Sequence, residues 1–151
     1  MITGDSMRIN TRFPVAVHMM VLISFIQEMG KTATPEILAK SVGTNPVVIR
    51  QMMSMLRRAG LIETRSGVSG ISLSKDGGEI TLLDIYKAVQ QDAEVPLFDF
   101  HTNPNPNCFV GGNIKEAMEK PLAEAQRAME QSLAGYSLND IACYIDKKVH
   151  F

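Results

Sequence analysis

The sequence predicts a mainly α-helical protein with one small β-hairpin: a winged helix-turn-helix head followed by a long C-terminal helix. Three observations carry this reading. Two helix starts of the same kind, Thr34-Pro35 and Asn45-Pro46, lie close enough for their helices to form a helix-turn-helix pair. Directly after them, residues 61–73 place a glycine-bearing turn between two short alternating segments, the pattern of a hairpin. Beyond residue 113, apolar side chains recur every three or four positions along a narrow stripe, as in a helix–helix seam.

The elements follow in order. Residues 1–6 read as a disordered leader or expression remnant, since patterned sequence begins at Met7. A first helix spans about residues 11–29 and closes at Gly30, with Pro14 tolerated in its first turn. Its apolar run, 13–26, is shorter than the roughly 20 residues a membrane span needs. His18 and Ser24 interrupt it and no small-residue cleavage site follows, so a buried central helix explains it better than a signal sequence. The second helix starts at Thr34-Pro35, has Ile37, Leu38 and Val42 as its apolar contacts, and ends in the turn Val42-Gly43-Thr44.

The third helix, within residues 45–60, has Asn45 as its cap, Pro46 at its first position and Gly60 as its stop. Helical spacing puts Ile49, Met52, Met53, Leu56 and Ala59 on an inner face and Val47, Arg50, Gln51, Ser54, Arg57 and Arg58 on an outer one. The hairpin comes next, with strands at 61–66 and 71–73. After a loop at 75–78, Thr81 caps a helix over 82–90, with Asp84 in the first turn where the helix dipole favours a negative charge.

Residues 92–112 then lose all periodicity and fill with proline, asparagine and glycine, and a loop of that length is usually functional or mobile. Asn113 opens the long helix, whose stripe is Ile114, Met118, Leu122, Ala125, Met129 and Leu133. Pro121 should bend or divide it, because an interior proline costs about 3 kcal/mol. Gly135 ends it, and Ser137 with Asp140 predicts a capped short helix to about residue 146. The chain therefore divides into a leader (1–6), a head (7–91), a connecting loop (92–112) and a C-terminal helical segment (113–151).

The formal net charge of −1 hides a division. Through Lys75 there are nine basic and four acidic side chains, a balance of +5, and the remainder carries six and twelve, a balance of −6. A polyanion suits one half of the chain and not the other, which is the charge pattern of nucleic-acid contact confined to one region. Two cysteines, Cys108 and Cys143, without a secretory leader, predict a reducing cytoplasmic setting rather than a disulfide framework.

On that basis Val47, Arg50, Gln51 and Ser54 are the candidates for base readout. Arginine can bridge guanine O6 and N7, and glutamine adenine N6 and N7. Arg8, Thr11, Arg12, Thr34, Asn45, Arg57, Arg58, Arg65, Ser66 and Gly67 are candidates for contact with the DNA backbone. Cys108 is the candidate redox or effector site, although no basic residue near it in sequence would lower its pKa, which favours an inert thiol. His18, His101 and His150 show no metal-ligand spacing. No nucleophile–base pair or phosphate-binding glycine loop is visible, so an enzyme is not expected.

Met7-Arg-Ile-Asn-Thr-Arg12, Thr34-Pro-Glu-Ile-Leu-Ala39, Leu56-Arg-Arg-Ala-Gly-Leu-Ile62, the wing over 65–73 and Glu79-Ile-Thr-Leu-Leu-Asp-Ile85 occur in the order seen in the Rrf-type bacterial winged-helix transcription regulators. The chain resembles that family, which includes the iron-sulfur-cluster regulator, the nitrite-sensitive repressor and the cysteine-metabolism repressor. The resemblance implies a homodimer joined through the long helix, with Ile114, Met118, Leu122, Ala125, Met129 and Leu133 at the interface. Two recognition helices would then meet a pseudo-palindromic operator about one DNA turn apart. Many members hold an iron-sulfur cluster on three loop cysteines. This loop has only Cys108, so the clusterless branch is the nearer likeness and no cofactor is expected. Many cluster-bearing members also have glutamate where this chain has Arg50, so base preference does not transfer.

The expectation is a cytoplasmic, homodimeric repressor of transcription that binds double-stranded DNA and answers to a small-molecule or redox effector, with no membrane partner. The alternative is a winged-helix module that binds a protein partner without specific DNA binding. Steep salt dependence of affinity would separate the two, since phosphate contacts release counterions and an apolar interface does not.

Overall fold

The computed structural model describes residues 9–64, 70–90 and 103–149, with side chains from residue 11. Helix α1 (Ile9–Glu28) is the centre of the head. Ala16, Met19, Met20, Val21, Ile23 and Ile26 are buried, and Phe13, Val15, Val17, Leu22 and Phe25 pack partly against the same core. A helix apolar nearly all round has to be enclosed, and α1 meets α2 (Pro35–Val42), α3 (Pro46–Arg58), α4 (Leu82–Ala88) and α6 (Leu138–Val149). Pro14 lies further into α1 than the first turn that the sequence reading gave it.

Both caps of the helix-turn-helix form as the sequence predicts. Thr34 Oγ1 accepts from the Ile37 N–H at 3.3 Å, and Asn45 Oδ1 from the Val48 N–H at 3.0 Å. Gly43 ends α2 at φ 83° and Gly60 follows α3 at φ 78°, left-handed positions that favour glycine. Ile49, Met52, Met53 and Leu56 are the buried side of α3. Two inner-face assignments are corrected: Ile37 is 44% exposed, its place in the core taken by Ala39, and Ala59 is exposed because the helix stops at Arg58.

Strands β1 (Ile62–Thr64) and β2 (Ile71–Leu73) pair antiparallel with Ile62 opposite Leu73 and Thr64 opposite Ile71. The outer edge of β2 is covered. Its Ile71 N–H donates to the Ala33 carbonyl at 3.1 Å and its Leu73 N–H to Gln27 Oε1 at 3.0 Å, which leaves that edge no template for another strand. The wing is therefore fastened at its base to the end of α1.

Gly77 and Gly78, read from sequence as the end of a loop, form with Glu79 a 3-10 turn (Gly77–Glu79) leading to α4. Thr81 and Asp84 cap α4 reciprocally, at 3.0 and 2.9 Å. Helix α5 (Ile114–Ala134) is continuous through Pro121, so the proline does not divide it. At about 1.5 Å per residue it is roughly 31 Å long, and none of its residues is buried.

The C-terminal helix is placed differently from the sequence grouping, which joined it to the long helix. Ser137 and Asp140 cap it reciprocally as expected, but it runs to Val149 and packs against α1 and the 3-10 turn. The junction is a short antiparallel pairing: the Leu82 N–H donates to the Tyr136 carbonyl at 2.9 Å and the Leu138 N–H to the Ile80 carbonyl at 2.8 Å. Leu138 is fully buried in the head core, with Ile141 and Ala142 packed beside it.

Candidate nucleic-acid interface

The inner side of α3 is fixed by four buried residues, so its outer side has one orientation. Val47 is 61% exposed, Arg50, Gln51, Arg57 and Arg58 are exposed, and Ser54 is half-buried. These six share one face over about 16 Å of helix, a length that suits a DNA major groove about 12 Å wide. Among the described residues nothing closes over Val47, which leaves its methyl groups available to a thymine methyl.

Arg50 has a partner that the sequence did not reveal. Its Nη2 donates to Glu36 Oε2 at 2.8 Å, across from the first turn of α2. Both side chains are more than half exposed, so the pair adds little to stability. It does give the guanidinium a preferred direction.

Thr34 and Asn45 each spend an acceptor on capping and keep a donor. The Thr34 hydroxyl still has its hydrogen and the Asn45 amide its N–H groups, and both lie at helix N-termini where backbone N–H groups also favour an anion. Thr11 is exposed on α1.

Arg12 is a correction. It is 8% exposed, and its Nε donates to the Val89 carbonyl at 2.7 Å, so it faces into the head instead of toward DNA. Burial lowers its pKa from the ordinary value. From sequence it looked like one more basic residue on a helix start. Arg8, Arg65, Ser66 and Gly67 lie outside the described residues, as do the leader and residues 91–102 of the connecting segment.

Cys108 sits exposed in the turn that precedes α5. Hydrogen bonds from the backbone at Gly111 and Val110 lower its pKa, supplying by geometry what no nearby basic residue supplies by charge. The turn is tightly wound: the Gly112 N–H donates to the Cys108 carbonyl at 2.8 Å and the Asn113 amide to the Phe109 carbonyl at 2.7 Å. Along α5, which meets α4, Ile114, Leu122, Met129 and Leu133 are half-buried while Met118 and Ala125 are exposed, so the described residues cover the predicted seam only in part.

A family model, Rrf2, described as an iron-dependent transcriptional regulator, matches residues 9–144. Over 133 residues the chain is 47% identical to YwnA of Bacillus subtilis (strain 168), a protein named as an HTH-type transcriptional regulator; the match covers 88% of this chain and 96% of that protein. Among solved structures, one described as a DNA-binding protein is 42% identical, covers 86% of this chain and 97% of its own, and superposes with a TM-score of 0.69. The T. potens IscR structure shares the fold at a TM-score of 0.66 and 18% identity, covering 98% of this chain and 93% of its own.

The donor set does not fit an iron-sulfur cluster. The chain has two cysteines, Cys108 before α5 and Cys143 on α6, and such clusters are held by several thiolates together. Among the described residues no three His, Cys, Asp or Glu side chains are grouped to hold a metal ion. No helix among them is long and apolar enough to cross a membrane.

Proposed function

Because this chain belongs to the Rrf2 family of transcriptional regulators, we propose that it is a cytoplasmic repressor that binds a pseudo-palindromic operator as a homodimer. The observation that carries the reading is α3: an inner side locked into the core, an outer side of Val47, Arg50, Gln51 and Ser54, and a wing fastened directly after it. In this reading the first two turns of α3 read bases. Thr34 and Asn45 hold phosphates, and Arg57 and Arg58 support them near the end of the helix.

Dimerisation falls to α5. A helix of about 31 Å with a stripe from Ile114 to Leu133 and no buried residue is an unfavourable thing to leave in water, and a second copy is the self-complementary cover for it. The two heads then stand at a spacing set by the helix pair. An effector acting on the turn at Cys108, next to the start of α5, shifts operator affinity by changing the angle between the heads. The effector is a small molecule or an oxidant of the thiol, and no resident cofactor takes part.

An electrophoretic shift with the promoter of the chain's own gene tests the reading. Wild-type protein should bind it in preference to random DNA, and Arg50→Ala and Gln51→Ala should lose that preference. Binding no tighter to any promoter than to random duplex would overturn it.

A further inference from the structure

We propose that Glu36, on the helix before the recognition helix, is a specificity-determining residue that acts through Arg50. The proposal rests on the DNA-binding reading above and concerns how that surface chooses bases over phosphates.

Glu36 belongs to the first turn of α2, and Thr34 and Pro35 fix where that turn begins. Arg50 belongs to the second turn of α3, and fourteen residues of chain separate the two. The Gly43 turn sets α2 against α3 so that Glu36 Oε2 lies 2.8 Å from Arg50 Nη2. The contact is thus a product of the helix-turn-helix itself.

An arginine on an exposed helix face has two kinds of DNA target. Phosphates are everywhere and carry a full charge. Guanine O6 and N7 are neutral and occur only at particular sequences. An arginine without a neighbour favours the phosphates. A carboxylate beside the guanidinium changes that competition in two ways. It repels phosphate, and it holds the side chain in one of its several rotamers, an effect worth between about 1.4- and fivefold for an exposed pair. Glu36 engages one of five N–H donors, so four remain, enough for the two parallel bonds that guanine accepts. Arg50 and Glu36 together present a pre-aimed, nearly neutral donor to the groove.

The consequence is asymmetric. Loss of the Glu36 charge should tighten binding to random DNA, because Arg50 becomes free to reach a phosphate, and should weaken discrimination among sequences. Among the described residues Arg57 and Arg58, the other basic residues of the outer face, form no ion pair of this kind, and their place at the end of α3 fits the phosphate role.

The experiment is selection from a pool of random duplexes by the full-length wild type, Glu36→Gln, Arg50→Ala and the double variant, followed by titration of selected and random duplexes at several salt concentrations. Wild type should select a sequence, and Arg50→Ala should lose preference at one position in each half-site. Glu36→Gln should lose severalfold of the preference at that same position, bind random DNA more tightly, and show a salt slope steeper by about one. The double variant should match Arg50→Ala alone. Both residues are exposed, and unchanged thermal melting checks that the fold is intact. If wild type selects a sequence and Glu36→Gln selects it equally with the same salt slope, the role of Glu36 is overturned and the regulator reading stands. If Glu36→Gln changes a position that Arg50→Ala does not, Glu36 acts on DNA by itself and the coupling is overturned. If wild type selects nothing, the DNA reading fails first.

Discussion

Arg12 donates through Nε to the carbonyl of Val89 at 2.7 Å, a bond between residues 77 apart in sequence that ties the start of α1 to the end of α4. The Val89 carbonyl lies one residue past α4 in a fully buried residue, where an unpaired acceptor is costly. Arg12→Met keeps much of the stem and removes the donor. It should destabilise the fold by about 1.5–3 kcal/mol, the range for a hydrogen bond to a charged group, as measured by urea unfolding. At concentrations where the protein remains folded, the salt slope of DNA binding should not change, because Arg12 neutralises no phosphate in this arrangement.

Gln51 and Arg57 should separate cleanly on DNA. Gln51→Ala should cost about 1–3 kcal/mol on a selected operator and almost nothing on random duplex, since its loss is of base contact. Arg57→Ala should weaken both duplexes alike and lower the salt slope by about one. Titrations by fluorescence anisotropy at several salt concentrations distinguish these outcomes, and a uniform loss for Gln51→Ala would return it to the phosphate class.

Leu138 reports whether the last helix is part of the head. Leu138→Ala removes a fully buried side chain and should cost about 2–5 kcal/mol in urea unfolding. Gly77→Ala attacks the same junction from the other side, because its new methyl would meet the Asn139 side chain. If both variants unfold as wild type does, α6 does not contribute to the stability of the head.

Met118 and Met129 lie on the α5 stripe, the first exposed and the second half-buried. Met118→Glu with Met129→Glu places four like charges in a two-fold seam, and the dimer should weaken by at least about tenfold, since buried unpaired charge is strongly disfavoured. Sedimentation equilibrium checks it, and operator binding should become steeply dependent on protein concentration. An unchanged association state would move the interface off this face.

The thiol of Cys108 gives a pH dependence. Its folded-state pKa is depressed by N–H groups at Gly111 and Val110, so the thiolate is favoured above the folded pKa and lost as pH falls through it. Alkylation of Cys108, followed by mass spectrometry, should rise with pH along a curve displaced to lower pH from that of the same cysteine in urea. Coincident curves would show that the turn does not hold the thiolate.

Local signals were legible and crossings were not. Thr34-Pro35 and Asn45-Pro46 each announce a helix start within two residues, and both caps form. The buried side of α3 follows from spacing alone, apart from Ala59, which lies one residue beyond the helix. What spacing cannot show is which distant element lies opposite. Arg12 on α1 faces Val89, Glu36 faces Arg50 because of how α2 crosses α3, and residues 80–82 pair with 136–138 through single rungs that leave no alternating pattern to read. The thiol environment was missed for the same reason. Backbone N–H groups have no letter in a sequence, and only the winding of the turn aims two of them at Cys108.

The pairing of residues 80–82 with 136–138 has a consequence for how the chain can be divided. A core that includes Leu138 is closed only when the chain, after running out along α5, comes back to the head. The long helix is therefore an excursion between two parts of one core and not a tail appended to a finished one. The same wiring forbids a modular exchange: a head cut out before residue 136 and grafted onto another dimerisation helix would arrive with its core open, and a working chimera has to carry α6 along.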